Sequence, residues 1–443
     1  MDMYGEAGWK RDGWVARRRS GGFRAVIAAT GVGLALVAGP FGCDSGSTDG
    51  PGSTTSSSST GSGGAGGSSS SSGGGLGGSS ASGQGGGGGA AGGEGFQNPD
   101  NPVGIGLVSP GNATQWDRAA ELAGPGGHIK LIFPGVQPGM TGPQQDWHDA
   151  VTGVYARDLV PVIRMGPPWG NRNVRADSDD GTHMTYTNLA AAYAAVVAGL
   201  PLRDSWPLVI EVHNEPNLCY EWECDPNDAP SHSGTPTGWI HYEHMAAEYA
   251  AFLRDVTSAI RALGQWRILV INGGLAPGGA VNCECGGSGF NAGITSREFL
   301  VAMEAAVPGV HAALDGFASH SYPAQGEGWG FFEAYPNSIV GLHYFETELA
   351  QLGLSLPVYM TETGWTVGAG AMGSRQQVAD WTVLAWENDW HQHADIAAVM
   401  PFMLQDPNWN DFAWVDGNNN PYPVFDAVKS WRCSKAIPEP CPG

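Results

Sequence analysis

Short apolar runs recur along the chain from residue 99 onward: "VGIGLVS" (103–109), "HIKLIFPGV" (128–136), "LVPVIRMG" (159–166), "PLVIEVHNE" (207–215), "RILVINGG" (267–274), "LDGFASHSY" (314–322), "LPVYMTET" (356–363) and "IAAVMPFML" (396–404). Near-continuous apolarity over such lengths marks strands covered on both faces. Between the runs the period changes. Over 239–263, Tyr242, Met245, Ala246, Tyr249, Phe252, Leu253, Val256 and Ile260 recur every three or four places and form one apolar stripe. Weaker helical patterns cover 113–123, 187–200, 296–306, 339–352, 374–387 and 423–431. Eight strands alternating with helices predict an α/β fold, a (β/α)8 TIM barrel with the helices outside a parallel ring.

In such a barrel, chemistry collects where strands end at the C-terminal mouth. The fourth run ends in His213-Asn214-Glu215, the sixth in His320-Ser321-Tyr322, the seventh in Thr361-Glu362-Thr363-Gly364-Trp365, and the eighth leads to Gln405 and Trp409. Two glutamates therefore face one mouth from different sides of the ring. Such a pair suits cleavage of a glycosidic bond, which needs a proton for the leaving oxygen and an anion or base at the sugar carbon. Trp169, Trp365, Trp409 and Trp414 also follow strand ends, and flat apolar rings suit the C–H faces of sugars.

"HNEPN" after the fourth strand and "MTETGW" after the seventh resemble the acid/base and nucleophile motifs of the clan A glycoside hydrolases, retaining enzymes on this barrel. The resemblance spans roughly residues 100–432 and fixes no single family. It implies Glu215 as general acid/base and Glu362 as nucleophile. It further implies that Asn214 holds the sugar 2-hydroxyl, that His320 and Tyr322 are polar site groups with the tyrosine bonded to the nucleophile, that Trp409 is an aromatic floor, and that Arg164 lies beneath the nucleophile. Two alternatives stay open: a catalytically silent barrel that binds surface glycans, and a transglycosylase in which an acceptor sugar replaces water.

Composition divides the chain into three parts. Residues 44–98 are almost wholly Gly, Ser, Ala and Thr, with no apolar face to offset chain entropy, and read as a flexible tether. Residues 1–43 carry Arg17, Arg18, Arg19 and Arg24 ahead of the apolar run Ala25–Gly39, which fits an export signal better than a spanning helix. The stretch ending at Cys43 resembles a bacterial lipoprotein signal, which implies a lipid on Cys43 and a cell-surface location. Ordinary cleavage after Gly39 and an uncleaved anchor are the alternatives. The catalytic domain is expected over 99–443.

Seven cysteines in an exported chain leave one odd, and Cys43 is the natural remainder. Cys283 and Cys285 are too close in sequence to bridge each other without strain, so each is expected to pair with Cys219 or Cys224, leaving Cys433 with Cys441. The formal charge of −22 becomes −25 once the six cations and three anions of residues 1–43 are set aside. That charge argues against nucleic acid and polyanionic substrates and favours a neutral carbohydrate. No cofactor or metal is expected: His241 and His244 lack a third ligand, "DSDDG" (177–181) and "DGNNN" (416–420) lack a full calcium pattern, and no glycine-rich nucleotide loop follows a strand.

Overall fold

The computed structural model describes residues 100–168, 174–204, 206–222, 238–277, 295–323, 341–367, 374–438 and 441, without the side chains of 219, 220 and 238–243. The expected leader, the Gly/Ser tether, Trp169 and the pairing of Cys219, Cys224, Cys283 and Cys285 lie outside the described residues. Cys433 and Cys441 are joined as a disulfide, with α carbons 5.1 Å apart.

All eight expected strands form. β1 (Gly104–Gly106), β2 (His128–Pro134), β3 (Val160–Gly166), β4 (Leu208–Val212) and β5 (Ile268–Asn272) pair in parallel in that order. β6 (Phe317–Ser319), β7 (Val358–Met360) and β8 (Ile396–Val399) do the same. Two parallel bridges, Ile271 with Gly316 and Val103 with Val399, join these arcs at both seams and close the ring.

Outside the strands lie α1 (Ala113–Ala123), α2 (Gln145–Tyr155), α3 (Thr187–Ala198), the short α4 (Cys219–Trp222), α5 (Gly238–Arg261), α6 (Ser296–Ala306), α7 (Tyr344–Leu352), α8 (Arg375–Asn388) and α9 (Pro423–Ser434). Local chemistry starts several of them. Asn112 and Thr295 accept from the backbone N–H three residues on, and Ser374 with Gln377 completes a capping box on α8. α2 was not among the helices expected from the pattern. Its Gly153 and the β-branched Val151, Thr152 and Val154 lower helix propensity, and Gln144 offers no side-chain cap. Tertiary packing supplies what propensity lacks. Trp147 stacks on Phe133 with ring centroids 4.9 Å apart, and a Cβ on Gly153 would lie 2.4 Å from the Trp116 ring. A residue that weakens the helix is what lets the helix dock.

Strand alternation sorts side chains into two cores. Ile129, Leu131, Phe133, Ile163, Met165, Ile210 and Val212 point outward to the helices. Val160, Val162, Val209, Ile271, Ala318, Tyr359, Ala398 and Met400 fill the barrel interior. The interior is not wholly apolar, because Lys130 on β2 and Glu211 on β4 are buried there at 2% and 0% exposure. Charges at that depth persist only when paired, and their pairing leads to the mouth.

Candidate active site

Where β4 ends, the backbone departs from extended geometry: φ is +77° at His213 and +39° at Glu215. Left-handed conformations of this kind cost non-glycine residues about 1–3 kcal/mol each and persist where the surroundings impose them. Here the His213 N–H donates to the Met165 carbonyl at 2.9 Å, and the Glu215 N–H to the Gly274 carbonyl at 2.9 Å. The turn is clamped between the ends of β3 and β5, which aims the Glu215 carboxyl at the barrel axis rather than along the strand.

Gly274 has a second duty. A Cβ there would lie 2.2 Å from the His320 ring, so only glycine admits the imidazole from the end of β6. His320 Nδ1 is hydrogen-bonded to Glu215 Oε1 at 2.9 Å and lies 3.8 Å from Glu362 Oε2, while its Nε2 is 3.7 Å from Glu211 Oε1. Carboxylate oxygens of Glu215 and Glu362 come within 4.8 Å of each other around this ring.

Glu362 is held at both oxygens. Lys130 Nζ donates to Oε1 at 3.0 Å, and the Tyr322 hydroxyl donates to Oε2 at 3.0 Å. The same Lys130 lies 3.2 Å from Glu211 Oε2. Glu211 Oε1 in turn accepts from the Gly274 N–H at 3.1 Å and the Thr361 hydroxyl at 2.8 Å. The cation paired with Glu362 is therefore Lys130 from β2. Arg164 had been expected in that place. It is buried in β3 in register with Glu211, and no ion pair between it and Glu362 occurs.

These contacts set the protonation states. Burial raises the Glu362 pKa, but Lys130 and His320 outweigh burial and hold the carboxyl below its ordinary range. Burial likewise opposes ionisation of Glu211, yet Lys130, His320 and Thr361 bring it down to about 2. Glu215 moves the other way: burial dominates, the His320 bond opposes it, and the charges of Glu362 and Glu221 add to the rise. Burial would lower His320, but Glu362, Glu211 and Glu215 together raise it to about 9. Lys130 and imidazolium His320 then balance Glu211 and Glu362, and a fifth charge on Glu215 would stand uncompensated in a dry site. Glu215 Oε2 is buried with no hydrogen-bond partner, which leaves one oxygen able to carry a proton.

The remaining expected residues fall in different places. Asn214, 7% exposed, donates through Nδ2 to Glu221 Oε1 at 3.1 Å, which fixes its amide beside Glu215. Tyr322 begins a run of edge-to-face rings through Phe412 and Phe402 to the half-buried Trp409, with centroid spacings of 6.2, 5.4 and 5.9 Å. Trp365 is 2% exposed and belongs to the main core cluster, with ring centroids 6.2 and 6.5 Å from those of Trp381 and Trp390. Lys130, Glu211, Thr361 and Gly274 were not singled out from the sequence. A signal was present for two of them, since "HIKLIF" and "LVIEV" each place a charge at an inward position of an apolar strand.

Glu215, His320 and Glu362 also have the composition of a cation site. Lys130, at 3.0 Å from Glu362, already supplies positive charge there and disfavours a second cation.

A scan of protein-family models finds none that matches this chain, and a search of curated proteins finds no match. Among solved structures, the chain is similar to a family 39 glycoside hydrolase from the gut symbiont Bacteroides cellulosilyticus WH2, at 15% identity and a TM-score of 0.48, covering 74% of this chain and 63% of that one. It is similar to a family 5 broad-specificity endoglucanase from Clostridium longisporum at 14% identity and 0.47, covering 75% and 96%. A family 128 endo-β-1,3-glucanase from Sorangium cellulosum gives 14% identity and 0.43, covering 74% and 98%. The chain thus spans 63% of the length of the family 39 enzyme. At these TM-scores the barrel stands on the strand pairing of this chain, and the chemistry stands on its own side chains.

Proposed function

We propose that this chain is a retaining glycoside hydrolase that cleaves O-glycosidic bonds of a poly- or oligosaccharide by double displacement. One observation carries the reading: two buried carboxyls, oxygens within 4.8 Å, are driven toward opposite protonation states. Retaining enzymes place the pair about 5–5.5 Å apart, whereas inverting enzymes leave about 6.5–9.5 Å for a water.

In the first step ionised Glu362 attacks the anomeric carbon as the glycosidic C–O bond breaks, and Glu215 gives its proton to the leaving oxygen. A glycosyl ester of Glu362 results. With the charge on Glu362 consumed, Glu215 no longer faces that anion and remains as carboxylate. It then takes a proton from water while the water oxygen attacks the anomeric carbon and frees Glu362. Asn214 is suited to the sugar 2-hydroxyl, and Trp409 to an apolar sugar face.

The test is an assay of aryl glycosides and plant or microbial polysaccharides with wild type, Glu362→Ala and Glu215→Ala. Azide should restore Glu362→Ala and yield a glycosyl azide of inverted configuration, since a small anion fits the vacated space. Undiminished hydrolysis in either variant would remove the assignment. A competing transglycosylase reading is separated by product analysis with and without added acceptor sugar. Export and a lipid on Cys43 are part of the same proposal, supported by the leader of residues 1–43 and the Gly/Ser segment of 44–98. Mass spectrometry of the N-terminal peptide from membrane fractions tests them.

A further inference from the structure

A second group of titratable side chains shares no residue with the glutamate pair, and the proposed sugar chemistry does not use it. His343 immediately precedes α7, and Glu346 sits in that helix's first turn. Asp389 ends α8 and begins the 3-10 turn Trp390–Gln392, which His393 closes. The two segments read H-x-x-E and D-x-x-x-H, so neighbouring elements each present ligands one turn apart.

Asp389 Oδ1 lies 3.2 Å from His343 Nδ1 and 3.1 Å from His393 Nε2. Both imidazoles approach the same carboxylate oxygen, and neither contact has full hydrogen-bond geometry. The Asp389 side chain is fully buried, and no Lys or Arg pairs with it among the described residues. A buried carboxylate whose neighbours of possible opposite charge are two partly exposed imidazoles, with no Lys or Arg, is costly unless a further positive charge joins it. Ligand atoms about 2.0–2.1 Å from a tetrahedral ion sit about 3.3 Å from one another, which matches the two observed separations. The other nitrogen of His393, Nδ1, faces Glu346 Oε1 at 3.6 Å. That is the placement of a carboxylate that orients a ligating imidazole from behind. The histidine side chains are 20% and 28% exposed, which leaves a path for the ion and a position for water.

We propose that His343, Asp389 and His393 form a binding site for a zinc-type divalent transition-metal ion, with Glu346 positioning His393. Two imidazoles and a carboxylate are the ligands such ions prefer over calcium or magnesium. The ion would tie the start of α7 to the corner between α8 and β8, a bracing role independent of the glycosidase reading.

The experiment uses the untagged full chain, stripped with chelator and dialysed against zinc. Wild type should retain one equivalent and melt at a higher temperature with zinc than without. His343→Ala and His393→Gln should lose the retained zinc and the melting shift with circular dichroism unchanged, and Glu346→Gln should weaken zinc about 10- to 100-fold. Glu362→Gln should keep full stoichiometry, which separates this site from the Glu215–His320–Glu362 cluster. Cobalt-loaded wild type gives a reading that needs no variant: visible bands of a four-coordinate ion support the site. Failure of wild type to retain zinc, a cobalt spectrum no different from the aqueous ion, or retention unaffected by either histidine substitution would overturn it.

Discussion

Glu215 and Glu362 stand at comparable strand tips, both almost fully buried at 2% and 4% exposure, and their protonation states diverge. Around Glu362 the barrel sends up a cation from β2 and a tyrosine hydroxyl from the end of β6. Around Glu215 it offers one imidazole bond and leaves the other oxygen bare. Burial is shared, so burial cannot assign the roles. Neighbours do: the same desolvation that would neutralise both carboxyls is overcome at Glu362 by Lys130 and left standing at Glu215.

The contrast breaks most completely if the anion is removed. Glu362→Ala should lose on the order of 10^4-fold or more in kcat/KM, with azide rescue as the check. Glu215→Ala should lose about 10^2–10^4-fold on substrates with poor leaving groups and much less on activated aryl glycosides, measured as a leaving-group series.

Lys130→Met tests the cation directly. It leaves Glu211 and Glu362 with only His320 to offset two buried charges and should destabilise the fold by about 3–5 kcal/mol in chemical denaturation. The folded fraction should show the acid limb of its pH–rate profile shifted upward, because Glu362 then ionises less readily.

His320 sharpens the comparison through pH. Its pKa is raised above the unfolded value to about 9, so its stabilisation is complete below the ordinary histidine range and lost as pH climbs from about 6.5 through about 9. The shift corresponds to about 3 kcal/mol, and His320→Gln should flatten that alkaline loss in thermal melts. Trp409→Ala is the mildest change, expected to cost about 0.5–1.5 kcal/mol of sugar contact, read as a few-fold rise in KM with kcat nearly unchanged.

How much of this was readable beforehand differs between backbone and site. The strands were legible because a doubly covered strand has no polar face, and the ring follows once eight of them alternate with helices. α2 was not, because its stability comes from Trp147 on Phe133 and from the notch at Gly153, contacts between segments that no local window contains. At the site, Glu215 and Glu362 were visible as acids at strand tips, as was the Tyr322 bond to Glu362 through the resemblance. Lys130 escaped for a geometric reason. It lies in mid-strand and reaches the mouth through the length of its own side chain, so a search confined to strand ends passes over it. Arg164 drew the cation's role through the clan resemblance, and it lies in β3 in register with Glu211. Trp365 shows the converse, since a tip position did not prevent its ring from joining the core.

Proton NMR of the first-formed sugar, recorded before mutarotation, tests the claim that an ionised Glu362 and a protonated Glu215 share one glycosidic bond. Retention of the substrate's anomeric configuration is the predicted result. An initial product of opposite configuration would mean that water, and not Glu362, attacks the sugar carbon, and would contradict the account.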